Sequence, residues 1–219
     1  SSDKTFEIED KPDGYNIVLL NKYILSLMQK HLNDREYDVL RLSFGLDCDK
    51  MPAKEIAKKA TDSGIPTIPD FMTPALARKI IHEKGPAHVV CAFNVFAHAD
   101  NLAGMADSIR ELLAPNGVFV FEASYLLDIL DRMLLGTIFH EHLSHHSLRP
   151  MDLFLGRHGM ELIDVQRNMI QGGSIVGIVQ LKGGSKPVSP SVGELLALEK
   201  VAGLDRPETL KKFGTKLQS

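Results

Sequence analysis

Between Ala87 and Tyr125 the chain changes texture twice. "AHVVCAFNVF" is an apolar run, "NLAGMADSIRELLAPNG" repeats its apolar residues at helical spacing, and "VFVFEASY" returns to β-branched and aromatic residues. Strand, helix, strand at this spacing is a βαβ unit, which closes as a parallel pair with a right-handed crossover. This pattern predicts an α/β fold. Because "AHVVCAFNVF" is apolar at successive positions, it reads as a buried strand of a parallel sheet.

The surrounding segments extend the same architecture. "TPALARKIIHEKG" predicts a helix with Thr73 as cap, Pro74 in the first position and Gly85 as stop. "IPTIPDF" is a short strand candidate before it, and Pro115-Asn116-Gly117 is expected to close the helix that starts near Asn101. Residues 126–146 read as helical, and "SLRPMDLFLGRHG" as a helix stopped by Gly159. "MELIDVQRN" and "GGSIVGIVQLKG" form a candidate hairpin. "KGGSKPVSPS" is a flexible connection, and the remainder to Ser219 is charged and mostly helical.

Residues 1–14 are polar and acidic and read as a disordered or extended leader without signal-peptide character. From Tyr15 to Ser43 apolar residues recur every three or four positions, predicting two helices, the second capped by Asn33 or Asp34 and ended by Gly45. "PAKEIAKKA" starts a third, with Pro52 at or near its first turn. A net charge of −3 gives no general reason for nucleic-acid or membrane binding. Cys48 and Cys91 build neither a disulfide framework nor a thiolate metal site, and no apolar run is long enough to span a bilayer, so a soluble cytoplasmic chain is expected.

Several stretches together resemble one family. "GIPTIPDFMTPALARKI", "AFNVFAHADNLAGMADSIRELLAPNGVFVFEASYL", "IFHEHLSHHSLRPMDLFLGRHGMELIDVQR" and "IQGGSIVG" are similar, in that order, to S-adenosylmethionine-dependent C-methyltransferases acting on nucleotide-linked deoxysugars. The resemblance spans about residues 52–213. It implies a partial class I (Rossmann-like) methyltransferase sheet with flanking helices, preceded by a small all-α segment. A second stretch, "HLNDREYDVLRLSFGLDCDKMPAKEIAKK" over about 31–59, resembles region 4 of a sigma factor. The two meet at "PAKEIAKKA", so the chain reads as a chimera. The expected organisation is a leader at 1–14, a helical sigma-like segment at 15–50, a partial methyltransferase core at 51–184, and at 185–219 a linker and helix beginning a truncated domain.

The methyltransferase resemblance assigns site residues. His142 is implied as the base that removes a proton beside a carbonyl, a task suited to a side chain whose ordinary pKa lies near neutrality. Glu141 is implied as its orienting or substrate-hydroxyl partner, and Phe139 stands where the family has tyrosine. Asn94 and His98, after the first strand, are implied to face substrate, with Phe93 and Asn94 near the cofactor. Glu122 and Tyr125 are implied to line the sugar pocket, and Gly172, Gly173 and Ser174 to form a closing loop. The S-adenosylmethionine site is expected to be incomplete: no glycine-rich turn precedes Pro52, and Met51 stands where an acid to hold the ribose is expected. The partner is expected to be a small sugar nucleotide.

"FHEHLSHH", residues 139–146, crowds four histidines into eight residues. On a helix, His142, His145 and His146 would share a face, but no carboxylate or cysteine completes a metal ligand set, so no metal is expected. A sigma-like DNA-binding module is the rival reading. The residues after "EIAKK" contain no Lys or Arg until Arg78, which leaves nothing to grip phosphate and makes specific DNA binding an unfavoured expectation. A non-functional globular fragment is the third.

Overall fold

The computed structural model describes residues 17–31, 34, 37–38, 41, 47, 51–138 and 142–218. The chain separates into two compact units, Ser1–Asp70 and Phe71–Ser219. In the first, helix α1 spans Ile17–His31 and α2 spans Ala53–Asp62. Pro52 caps α2 with an extended backbone (φ −59°, ψ 145°), as a residue without an N–H at a helix start should. The second predicted helix lies largely outside the described residues. The strand expected in "IPTIPDF" does not form; Pro66 and Pro69 each remove a ladder donor, and the segment is irregular.

The second unit is mixed α/β. Its helices are α3 (Pro74–Lys84), α4 (Leu102–Leu112), α5 (Leu126–Arg132), α6 (Leu148–Arg157), α7 (Pro190–Ala202) and α8 (Pro207–Gln218). Its strands are β1 (Ala87–Phe93), β2 (Leu113–Ser124), β3 (Met160–Asn168) and β4 (Ser174–Leu181), in sheet order β1-β2-β4-β3. β1 and β2 are parallel, and β4 runs antiparallel to both its neighbours. β1, β2 and β3 therefore all end at the same edge of the sheet, where Phe93 registers with Glu122 and Ser174 with both Ser124 and Asn168.

Local chemistry explains the boundaries. Thr73 Oγ1 accepts from Leu76 N at 3.2 Å, Pro74 opens α3, and Gly85 at φ +83° closes it, as the sequence predicts. Pro115-Asn116-Gly117 is not the turn after α4. The helix ends at Leu112 and these residues already belong to β2, whose irregular register against Ala87–Val89 absorbs them. A Cβ at Gly117 would sit 2.7 Å from the Ala87 carbonyl oxygen, so the close strand approach requires glycine. The predicted hairpin is present as β3–β4.

The core lies between the sheet and its helices. Phe96, Phe119 and Phe121 are fully buried, with ring centroids 5.5–5.9 Å apart. Each contributes roughly 1.5–3 kcal/mol by leaving water. Leu148, Leu155, Met160, Ile175 and Val179 complete the interior, and Val192 and Leu195 seal α7 into it.

β1 departs from expectation. Among the described residues it pairs only with β2, so it is an edge strand, and Val89 and Phe93 are 60% and 52% exposed. The unbroken apolar run signals burial on both faces, but a strand with one neighbour keeps its outer side in water.

Candidate functional site

In an open α/β sheet ligands gather where parallel strands end, and most of the residues implied by the resemblance collect there. Phe93 ends β1, exposed. Asn94 follows at φ +53°, a left-handed conformation that asparagine tolerates better than most residues, with its N–H on the Glu122 carbonyl at 3.3 Å. His98 lies in a short 3-10 turn, Phe96–His98, exposed at the mouth of a cavity of about 370 Å³. Phe71, Thr73, Val95, Asn101 and Met105 also line that cavity.

The end of β2 is polar and buried. Glu122 is 5% exposed, and its carboxylate is 2.7 Å from Ser174 Oγ. Ser174 Oγ is also 2.7 Å from Asn168 Oδ1, so one hydroxyl spans both groups. Tyr125 is fully buried. Its N–H donates to the Gly173 carbonyl at 3.1 Å, and Arg167 stacks 5.5 Å over its ring. The hydroxyl is buried with no formed hydrogen bond, and burial, followed by the nearby Glu199 carboxylate, pushes its ionisation far up.

Gly172 and Gly173 hold φ of +90° and +153°. A Cβ on Gly173 would lie 2.3 Å from Asp128, and one on Gly172 would lie 2.8 Å from Leu134. The loop therefore packs tightly over α5 by means of its two glycines. Asp128, itself without exposed surface, receives Arg167 Nε at 2.9 Å and a second guanidinium nitrogen at 2.6 Å, with Arg132 at 3.2 Å. Hydrogen bonding to Asp128 raises the Arg167 pKa further above its ordinary value.

The histidine stretch is not helical where it is described. α5 stops at Arg132 with Met133 in a left-handed cap at φ +56°, and residues 142–147 are irregular. Non-local bonds dictate this path: Leu143 N and Ser144 N both donate to the Ala97 carbonyl, at 2.7 and 3.3 Å, and Leu126 N donates to the His146 carbonyl at 2.8 Å. A helix would have spent those groups internally. The predicted shared helical face of His142, His145 and His146 is thus replaced by a loop. Phe139 and Glu141 lie outside the described residues.

His142 is nevertheless placed against His98, their rings edge-to-face with centroids 4.8 Å apart. His142 Nδ1 is 2.7 Å from the Thr137 carbonyl. A carbonyl only accepts, so the ring donates from Nδ1. His145 is 5.9 Å from His142, and burial, then the neighbouring His142, lowers its pKa. His146 is 8% exposed, packs on Phe96 and is lowered chiefly by burial. Among the described residues no group of three His, Cys, Asp or Glu is set to hold a metal, and no helix is long and apolar enough to cross a membrane.

Sequence reasoning passed over Asp128, Arg167, Glu199 and Thr137. Asp128 alone gave a signal, an acid inside the apolar run "LLDIL".

The curated C-methyltransferase NovU of Streptomyces niveus is 33% identical to this chain over 162 residues, covering 74% of this chain and 39% of NovU. The chain thus spans about two fifths of that relative's length. No family model matches. Among solved structures, a SAM-dependent methyltransferase from Anabaena variabilis is 16% identical with a TM-score of 0.40, covering 52% of this chain and 56% of that one. The magnesium protoporphyrin IX methyltransferase of Synechocystis, solved with bound SAH, is 15% identical with a TM-score of 0.39, covering 76% and 83%. Both are shallow likenesses and carry no functional weight.

Proposed function

We propose that Phe71–Ser219 is the base-bearing half of an S-adenosylmethionine-dependent C-methyltransferase acting on a nucleotide-linked deoxysugar. The observation that carries this reading is the bond from His142 Nδ1 to the Thr137 carbonyl, which orients the ring against His98 beyond the end of β1. The identity to NovU supports a C-methyl acceptor. His142 Nε2 takes a proton from the carbon beside the sugar ketone, leaving an enolate. Glu122, Asn94 and His98 orient the sugar, Ser174 fixes the Glu122 carboxylate, and the Gly172–Gly173 loop closes against α5. Glu141 orients the substrate hydroxyl, and Phe139 in place of tyrosine removes a hydroxyl donor.

S-adenosylmethionine, when bound, supplies an electrophilic methyl group. Phe93 and Asn94 would face it, but the described residues before β1 include no strand, and so neither a glycine-rich turn after one nor an acid at the end of another to hold its ribose. The chain therefore fits only one wall of that group, and isothermal calorimetry is expected to detect little binding. Base chemistry is separable from the methyl donor. In D2O, a nucleotide-linked keto-deoxysugar should exchange the hydrogen beside its ketone, and His142→Ala should stop that exchange. Equal exchange with and without His142 would reject the reading.

The sigma-like origin of residues 15–50 and the chimeric junction belong to the same proposal. Uninterrupted reads of the gene across codons 45–65 test the junction, and a salt-dependent mobility shift on a promoter fragment would favour the DNA-binding rival. A chain with no melting-temperature response to cofactor, sugar nucleotide or DNA would be the inert fragment.

A further inference from the structure

Glu199 lies far from the histidine loop in sequence and is 3% exposed, deep in α7. It has no cationic partner among the recorded ion pairs of the described residues. Its carboxylate instead accepts the first two backbone N–H groups of α6, those of Leu148 and Arg149, the latter at 3.0 Å. Ser147, at the position where a local cap belongs, makes no side-chain cap. A carboxylate 51 residues downstream therefore terminates α6, and it meets both the unpaired N–H groups and the positive end of the helix dipole.

The start of α6 is also the end of the histidine loop. One residue before Ser147, the His146 carbonyl takes the Leu126 N–H, and His146 bridges to Tyr125. Tyr125 joins the end of β2 to Gly173, and its buried hydroxyl faces the field of Glu199. Glu199 thus grips one end of a short segment whose other end is pinned to the Ala97 carbonyl through Leu143 and Ser144. His142 sits next to that second pin.

We propose that Glu199 is a positioning residue: by anchoring the start of α6 from α7, it fixes the path of residues 142–147 and with it the orientation of His142. This rests on the reading of His142 as the base. It adds a requirement that α7 hold the site in register, so α7 is part of the site's frame as well as of the core.

The test compares the full chain with Glu199→Ala, Glu199→Gln and the double variant Glu199→Ala with Ser147→Asp. Two readouts are followed: amide exchange at Leu126, and histidine side-chain nitrogen spectra. The wild type should show His142 protonated at Nδ1. Glu199→Ala should speed Leu126 exchange by about tenfold, the scale of a lost charge-assisted bond, and average the His142 tautomers. Ser147→Asp, restoring a local cap, should reverse both. A residue serving only as a helix cap would quicken exchange at Leu148 and Arg149 and leave Leu126 and His142 unchanged, and that result overturns the proposal. So does a failure of Ser147→Asp to restore them. If Glu199→Ala loses the native fold, Glu199→Gln carries the comparison, with the same shifts expected at smaller size and their absence again overturning it. A wild-type His142 not protonated at Nδ1 would instead defeat the base reading, while Leu126 exchange still decides the role of Glu199.

Discussion

The two sides of the strand-end crevice are built on opposite principles. On one side, Tyr125, Asp128, Arg167 and Gly173 are locked by burial, a bidentate ion pair and a loop with no room for a methyl group. On the other, His98 and His142 meet edge-to-face on a short turn and an irregular loop held by a few hydrogen bonds to Ala97 and Thr137. A rigid floor and an adjustable rim would suit the proposed site, which has to hold a substrate still and move a proton. The contrast also predicts that substitutions will act mainly on stability on one side and mainly on chemistry on the other.

Gly173→Ala should give the largest effect. It adds a Cβ 2.3 Å from Asp128 at φ +153°, and overpacking plus backbone strain should cost about 3–4 kcal/mol, read as a fall in the urea midpoint. Arg167→Ala comes next. It strips the fully buried Asp128 of its bidentate partner while leaving Arg132 in place, at about 2–3 kcal/mol. A neutral result at either position would mean that the floor is not rigid.

His146 lies at the boundary and tests it through pH. Burial lowers its pKa, so the folded ring stays neutral where the unfolded one begins to bind a proton, below about pH 6.5. Stability should therefore decline as pH falls through that value and level off once the folded ring also protonates. His146→Gln should flatten the decline between pH 7 and 5, measured by denaturant melts at each pH. His98→Ala should change stability least, by less than about 0.5 kcal/mol, while still slowing hydrogen exchange beside the ketone. A large loss of stability there would erase the distinction between rim and floor.

What could be read in the sequence was local. Thr73, Pro74 and Gly85 act within one helix, and their roles stand. The β3–β4 hairpin needed only alternation and a turn. The histidine stretch could not be read this way, because its path depends on Ala97 and Leu126, far away in the chain. β1 was misjudged because an apolar run reports what a strand could bury and not how many neighbours it has. Glu199 and the Asp128–Arg167 pair left almost no trace, since each depends on a partner at least 39 residues away. Asn94 meets Glu122 at the end of β1 and β2, and His98 meets His142, two pairings that spacing alone could not give.

The reversed position of β4 sets the order in which the molecule can assemble. β2 is central, but one of its two neighbours, β4, lies roughly 50 residues downstream. At about 5–20 residues per second on the ribosome, β2 waits several seconds with an apolar flank uncovered. The histidine loop emerges within that interval, and Glu199 later still. During synthesis the site is thus completed from its far end, and the residues that would do the chemistry are among the last to acquire a fixed shape.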